Sequence, residues 1–561
     1  MQATRQATSS FDYVIVGAGS AGCVLAARLS EDPAVSVCLL EAGASDRNPL
    51  IRVPLGIALL VPRRIHNWAF KTTPQPGLDG RRGYQPRGKT LGGSSAINAM
   101  VYTRGHRSDY DAWAALGNPG WSYADVLPYF RRAENNERIA DAFHGQGGPL
   151  NVADPRSPSA FSELWLAAAE QQGLKRNADF NGAEQEGIGL YQLTQKNGER
   201  WSAARAYLTP NLGRPNLAVR TEAHATRIVF EDKRAVAVEY RQGGEMRSVR
   251  ARREVILSAG ALQSPQLLLL SGIGDAEALR AMGIATVVHA PGVGRNLRDH
   301  VDFVIAYRST RKDLIGFMPG DIVNASRSAI RYYRDRRGIF TSNIAEAGGF
   351  VRSSPGLAAP DLQLHFCIGI LESHGRKVHA SRGFSGHVCA LRPKSAGRVA
   401  LRGPDPLAAP SIDPGFYTHP DDLETMVGGF RILRGIMESP LLDPFRGKDL
   451  FTEGVHTDDE IRNVLRRRSD TIYHPVGTCG MGIDATAVVD PQLRVRGVTG
   501  LRVADASIMP TLIGGNTNAP TIMIGEKASD LIRGVGLPAA AAAPAPAGQR
   551  ADFDAVSTEH K

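Results

Sequence analysis

Phe11-Asp12-Tyr13-Val14-Ile15-Val16-Gly17-Ala18-Gly19-Ser20-Ala21-Gly22 decides how this chain is read. The apolar run from Phe11 to Val16 predicts a short buried strand that stops at Gly17. Ser20 to Leu29 is small and apolar at helical spacing, and Val35 to Leu40 predicts a second strand closed by Glu41. Strand, helix and strand fit within about 30 residues, the size of one βαβ unit. Gly17 permits the tight turn, Gly19 lets backbone approach a pyrophosphate, and Gly22 lets helix and strand pack closely. Phosphates then meet the unpaired N–H groups of the helix N-terminus. Glu41, 19 residues past Gly22, is placed to accept hydrogen bonds from ribose hydroxyls. The unit predicts a dinucleotide site built on Gly17, Gly19, Ser20, Ala21, Gly22, Glu41 and Ala42. It does not separate FAD from NAD.

The composition around this unit is that of a large globular protein. Of 561 residues, 42% are hydrophobic and 22% charged, clear of the disordered range and sufficient for a large core. Lys and Arg (66) exceed Asp and Glu (56) by 10, but the excess is diffuse, and no nucleic-acid-binding signature accompanies it. Five cysteines are too few and too dispersed for a disulfide framework or a zinc site, so they read as reduced thiols and no metal is expected. Met1 to Ser10 is polar, and no apolar run reaches the ~18 residues of a membrane span. The expected location is cytoplasmic, with association at the inner face of the cytoplasmic membrane as an extension. That extension rests on Arg327, Arg331, Arg334, Arg336 and Arg337, interleaved with Ile322, Val323, Ile330 and Tyr333, a basic amphipathic pattern that equally suits a solvated helix.

Along the chain, Asn48 to Gly120 is rich in Gly, Pro and Arg and predicts packed loops. Ser162 to Gln172, Pro265 to Leu270, Met426 to Met437 and Pro520 to Leu531 predict helices. Ile228 to Tyr240, Arg247 to Ser258, Leu362 to Phe366 and His387 to Leu391 predict strands. The class is α/β, α+β overall, with a Rossmann-like dinucleotide domain interleaved with an antiparallel-sheet substrate domain. The expected division is 10–140, 222–300 and 466–533 for the first, and 141–221 and 301–465 for the second. Residues 534–561, Ala/Pro-rich and then polar, predict a disordered tail.

Two further glycine-rich stretches carry a resemblance. Gly88 to Gly105 and Gly260 to Gly274 are similar to the two signature segments of the glucose-methanol-choline (GMC) oxidoreductase family. With the N-terminal fingerprint and the segments Thr471 to Met481 and Gly514 to Thr521, the resemblance covers about residues 10–535. Within the family, His66 to Phe70, Leu91 to Gly105, Gln195 to Gly198 and Thr471 to Met481 look most like the bacterial membrane-associated FAD alcohol dehydrogenases of alkane oxidation. Choline and polyethylene-glycol dehydrogenases are near cousins.

The resemblance implies FAD as cofactor and oxidation of a primary alcohol to an aldehyde by hydride transfer to the flavin. Medium-chain aliphatic alcohols lead, and electrons pass to a quinone or other respiratory acceptor. Choline or polyether alcohols, an oxidase using O₂, and a flavin-carrying electron-transfer protein are the alternatives. It marks His474 as the catalytic base, a role that suits a neutral imidazole. Asn518 is its expected partner, although a helix cap would look identical in sequence. It places Trp68, Leu91, Gly92, Ser95, Asn98, Ala99, Met100, Val101, Ala225, Ala259, Asp505, Ala506, Asn516, Thr517 and Thr521 at the cofactor. Where some members attach FAD through a histidine, this chain has Ala96, so the flavin is expected to be non-covalent.

Overall fold

The computed structural model describes residues 9–316 and 319–540, with side chains of the helix Pro319–Asp335 described from Ser326 onward. The side chains of Ile322 and Val323, and tail residues 541–561, lie outside the described residues.

Ser9–Val16, Ser20–Leu29 and Val37–Leu40 form the predicted βαβ unit. Val14, Ile15, Val37 and Leu39 are wholly buried, each worth about 1.5–3 kcal/mol of removed apolar surface. Their strands lie in a seven-stranded sheet. Its order is Leu217–Arg220, Val37–Leu40, Ser9–Val16, Glu245–Leu257, Arg234–Gln242 and His224–Glu231, with Leu501–Val503 also paired to Glu245–Leu257. The pairs on either side of Ser9–Val16 are parallel, and the last two strands turn back antiparallel. The strand Leu217–Arg220 therefore joins the dinucleotide sheet, although the sequence reading assigned it to the substrate side. The single strand expected over 228–240 is two, because Asp232 takes a left-handed turn (φ 53°) between them.

A second sheet is antiparallel throughout. It runs Asp470–Thr471, Val301–Arg308, Gly383–Ala390, Leu362–Cys367, Ala345–Val351 and Gly187–Leu190. One face packs on the helices Ala160–Gln171, Pro420–Met437 and Asp458–Arg468 through Trp165, Phe366, Phe430 and Leu433. The other faces the cavity described below. Mixed α/β architecture built on two large sheets is thus as expected from the sequence.

Two local expectations fail. Arg107–Ala115, inside the stretch read as loops, is a helix, started by a His106–Asp109 capping box. Residues 534–540, read as the start of a disordered tail, dock on the helix Tyr123–Ala133. Leu537 N donates to Tyr129 Oη at 3.2 Å and Ala540 N to Ala124 O at 2.9 Å.

Candidate active site

One continuous cavity of about 930 Å³ runs between the two sheets. At one end lies the glycine fingerprint. Gly17 has φ +99°, and a Cβ there would sit 2.5 Å from Ser258 O, so only glycine fits the turn. At Gly22 a Cβ would lie 1.8 Å from Gly17 O. The second glycine-rich loop interlocks with the first: a Cβ on Gly93 would lie 2.7 Å from Gly19 Cα. Glu41 accepts from Ala18 N (3.0 Å) and Gly43 N (2.8 Å), which aims it along the cavity wall. Burial pushes its carboxyl up to about 7 against those two N–H donors.

Of the residues assigned to the cofactor from sequence, Gly17, Gly19, Ser20, Ala21, Glu41, Ala42, Trp68, Asn98, Ala99, Met100, Val101, Ala225, Ala259, Asp505, Ala506, Asn516, Thr517 and Thr521 line this cavity. Gly22, Leu91, Gly92 and Ser95 do not; they stand behind the wall and shape it. Gly92 N donates to Ala18 O at 2.8 Å, and Leu91 N to Ala44 O at 3.1 Å. Ser95 Oγ links Gly92 O (2.6 Å) to Ala203 N (3.0 Å). Ala96 is buried among Ile51 and Leu60, and the cavity-facing residue is its neighbour Ile97. Neither side chain has a nucleophilic atom.

Arg200, missed by sequence reasoning, holds this loop from behind. Its fully buried guanidinium donates to Asn98 O (2.6 Å), Asn98 Oδ1 (2.8 Å) and Ser95 O (3.3 Å). Asp505 ties the third glycine-rich stretch in place by accepting from Gly260 N (2.9 Å) and Ser264 Oγ (2.5 Å).

His474 stands at the other end. Tyr473 before it is held left-handed (φ 77°), a conformation costing about 1–3 kcal/mol that surrounding contacts must enforce. Asp299 supplies them, accepting from His474 N (2.8 Å) and Thr471 Oγ1 (2.6 Å), while Arg87 Nη2 donates to Tyr473 O at 2.6 Å. His474 Nδ1 faces His300 Nδ1 at 2.9 Å, and His300 Nε2 lies 3.1 Å from Leu391 O. A carbonyl only accepts, so His300 carries its proton on Nε2, and its Nδ1 accepts from His474 Nδ1–H. The Nε2 of His474 is left as a proton acceptor. Burial, and then the nearby His300, His365 and Arg87, push its pKa well below the ordinary 6.5 and keep it neutral.

The partner of His474 is Asn516, with Nδ2 at 3.2 Å from His474 Nε2. Thr103 Oγ1 (3.1 Å) and Gln363 Nε2 (3.0 Å) both donate to Asn516 Oδ1, which fixes the amide orientation. Asn518, expected in this position, is instead the first residue of the helix Asn518–Arg533, and its Oδ1 accepts from Ser20 Oγ at 2.8 Å. The reason is geometric: a residue inside the first helical turn points back along the axis toward the fingerprint, while Asn516 precedes the helix. The signal was Gly514-Gly515, since a Cβ on Gly515 would lie 3.0 Å from Thr103 Oγ1, seating the backbone that carries Asn516.

A glycine-lined turn, a buried carboxylate and a buried histidine in one cavity suit a flavin enzyme. The description "GMC oxidoreductase" matches residues 11–302 and again 393–525. The chain belongs to the GMC oxidoreductase family. It is 49% identical to an alcohol dehydrogenase (acceptor) of Pseudomonas putida, over 93% of this chain and 95% of that one. To an oxygen-dependent choline dehydrogenase of Rhizobium etli it is 44% identical over the same shares. Its fold matches an Aspergillus oryzae formate oxidase studied for FAD modification, with TM-score 0.87 and 27% identity over 94% of this chain and 98% of that one.

This GMC oxidoreductase uses FAD, and the cavity fits it: the wall at Gly17 and Gly93 has no room for a Cβ, while Glu41 stands beside it. No histidine for covalent attachment stands at Ala96 or Ile97.

Proposed function

We propose that the protein oxidises primary alcohols to aldehydes, and that medium-chain aliphatic alcohols are its substrates. One observation carries the reading: His474 Nε2 is a proton acceptor by tautomer, on the cavity side, next to an amide donor on Asn516. His474 accepts the hydroxyl proton, and Asn516 Nδ2 holds the alcohol oxygen as negative charge develops on it. The helix Asn518–Arg533 turns its positive end toward the cavity through Thr517, Asn518 and Thr521. Bound FAD supplies the hydride acceptor.

Ile57, Ile315, Ile344 and Leu371 make one side of the wall apolar, which suits an alkyl chain. The wall holds Asp302, Glu372 and Asp470, each already paired: with His387 at 2.8 Å, Lys377 at 3.0 Å and His374 at 2.9 Å. That pairing weighs against choline. Electrons are proposed to pass to a quinone or other respiratory acceptor rather than O₂.

Among the described residues no helix is long and apolar enough to cross a membrane. Peripheral contact is supported by the helix Pro319–Asp335, where Ile330 and Tyr333 are 67% and 85% exposed beside Arg327 and Arg331. Unchanged co-sedimentation with anionic vesicles after Arg327→Glu and Arg331→Glu would exclude this surface.

Anaerobic mixing with 1-octanol tests the main reading. Bleaching of the flavin band near ~450 nm, with fast recovery on adding quinone and slow recovery in air, is expected of an alcohol dehydrogenase. Fast recovery in air would make it an oxidase, and no bleaching would exclude aliphatic alcohols.

A further inference from the structure

The cavity face of the antiparallel sheet carries a thiol, an imidazole and a carboxylate that the reaction above does not use. His365 and His387 are direct cross-strand partners, and Cys367 follows His365 by two residues, on the same face and diagonal to His387. Cys367, His387 and Asp302 all line the cavity, at 2%, 8% and 8% exposure. His387 Nδ1 bonds Asp302 Oδ2 at 2.8 Å, which turns Nε2 away from that carboxylate. Nε2 is buried without a hydrogen bond, and the group it meets on that side is the Cys367 thiol. Among the described residues, Cys367 is the only one of the five cysteines on the cavity wall.

The order of these groups fixes where the protons go. A carboxylate only accepts, so Asp302 holds the His387 proton on Nδ1 and leaves Nε2 facing sulfur. One proton then lies between Sγ and Nε2. Moving it to Nε2 gives a thiolate beside an imidazolium that Asp302 stabilises, the arrangement of an activated nucleophile on any fold. What forms in the cavity supplies its target. The alcohol oxidation proposed above, on which this inference rests, makes an aldehyde, and an aldehyde is an electrophile. We propose that Cys367 is a nucleophile that adds to the product aldehyde and holds it in the cavity as a hemithioacetal. A bond forms between Sγ and the carbonyl carbon, the carbonyl π bond breaks, and the thiol proton passes through His387 Nε2 to the oxygen. Nothing is oxidised or reduced, so the step reverses and releases the aldehyde. His365, which bears on His474, faces His387 across the strand pair, so the thiol cluster adjoins the catalytic end.

The test adds octanal, labelled with carbon-13 at the carbonyl, to the holoenzyme. In the wild type a resonance of a tetrahedral carbon should appear that Cys367→Ser lacks, and the same spectrum from both overturns the proposal. Alkylation by iodoacetamide, located by mass spectrometry, asks the question without a variant. Cys367 should react about 10-fold faster than Cys23, Cys38, Cys389 or Cys479, and octanal should slow its reaction about 10-fold while 1-octanol does not. No preference for Cys367 overturns the reactive thiol, and equal protection by the two overturns covalent capture. His387→Gln, first checked for FAD content, should slow the alkylation of Cys367 about 10-fold at neutral pH, because the thiolate loses its imidazolium. An unchanged rate overturns the part given to His387. Octanal capture without flavin bleaching by 1-octanol would keep the thiol site and overturn the alcohol function; bleaching without capture would do the reverse.

Discussion

His300 Nδ1 accepts a hydrogen bond from His474 Nδ1–H across 2.9 Å, and Leu391 O accepts one from His300 Nε2–H at 3.1 Å. A backbone carbonyl just past the strand Gly383–Ala390 therefore dictates which nitrogen of His474 is free. His300 touches no reacting atom; it is a positioning residue. His300→Phe removes the acceptor and lets His474 place its proton on Nε2. Flavin reduction by alcohol should fall about 100-fold with KM little changed, the cost of a misplaced catalytic group. A rise in KM at constant kcat would show that His300 shapes the pocket instead.

His474→Ala removes the base itself, and stopped-flow flavin reduction should slow by about 10²–10⁴-fold. FAD content, read from the visible spectrum, should stay at the wild-type level, because the cofactor walls lie on other elements.

Asn516 and Asn518 separate by the same measurements. Asn516→Ala should lower the rate of flavin reduction about 10²–10³-fold, as loss of a donor to a developing oxyanion does. Asn518→Ala should lose the bond to Ser20, costing about 1 kcal/mol of thermal stability with little change in rate. The opposite outcome would restore the sequence-based assignment of Asn518.

The pH dependence follows from which histidines are held neutral. His474 is depressed well below 6.5 by burial, so the base-competent form persists and kcat/KM should be flat from pH 8 down past 6.5. Stability responds separately. Burial holds His300 and His365 down at about 3 and His224 at about 4. Below 6.5 the unfolded chain binds protons that the folded one refuses, so their stabilising effect, complete above 6.5, is lost as pH falls through that window. Despite burial, Asp302 holds His387 up to about 10, and Asp179 and Glu134 hold His144 up to about 9. Stability from these two is complete below 6.5 and is lost as pH rises through about 9–10. A melting-temperature profile should peak between those limits, with the acid side falling from near pH 6.5.

The N-terminal half of the site was legible because its signals are local. Gly17, Gly19, Gly22 and Glu41 sit in one βαβ unit whose spacing is its geometry, and the helix Ser20–Leu29 has the expected bounds. At the catalytic end the resemblance marked His474 but not the residues around it. His300 and His474 are 174 residues apart, and Gln363 reaches Asn516 over 153. No period within a single segment reports which strands will be neighbours. The Asn516–Asn518 choice turned on one helical turn, below the resolution at which sequence places a helix start. Arg200 and Asp302 were invisible for a related reason. A charged side chain reads as surface until the carbonyls or the imidazole that satisfy it are known.

Contact between the two glycine-rich loops makes FAD binding depend on residues that carry no side chain. Gly93 has φ +52°, and an added methyl would lie 2.7 Å from Gly19 Cα, backbone that cannot swing away. Gly93→Ala should therefore push the fingerprint turn out of shape and yield protein with little flavin. Gly80 is the control: its φ is +74° but a Cβ there would meet nothing within 4 Å, so Gly80→Ala costs only about 1–2 kcal/mol of left-handed strain and should keep its FAD. Because attachment is non-covalent, acid ammonium sulfate should strip the wild type. Added FAD at about 100 times its Kd should then restore about 2.7 kcal/mol of stability, read as a rise in melting temperature. Gly93→Ala should show no such rise at the same concentration. A normal rise would mean that the second loop only covers the site, and that the fingerprint holds the cofactor without it.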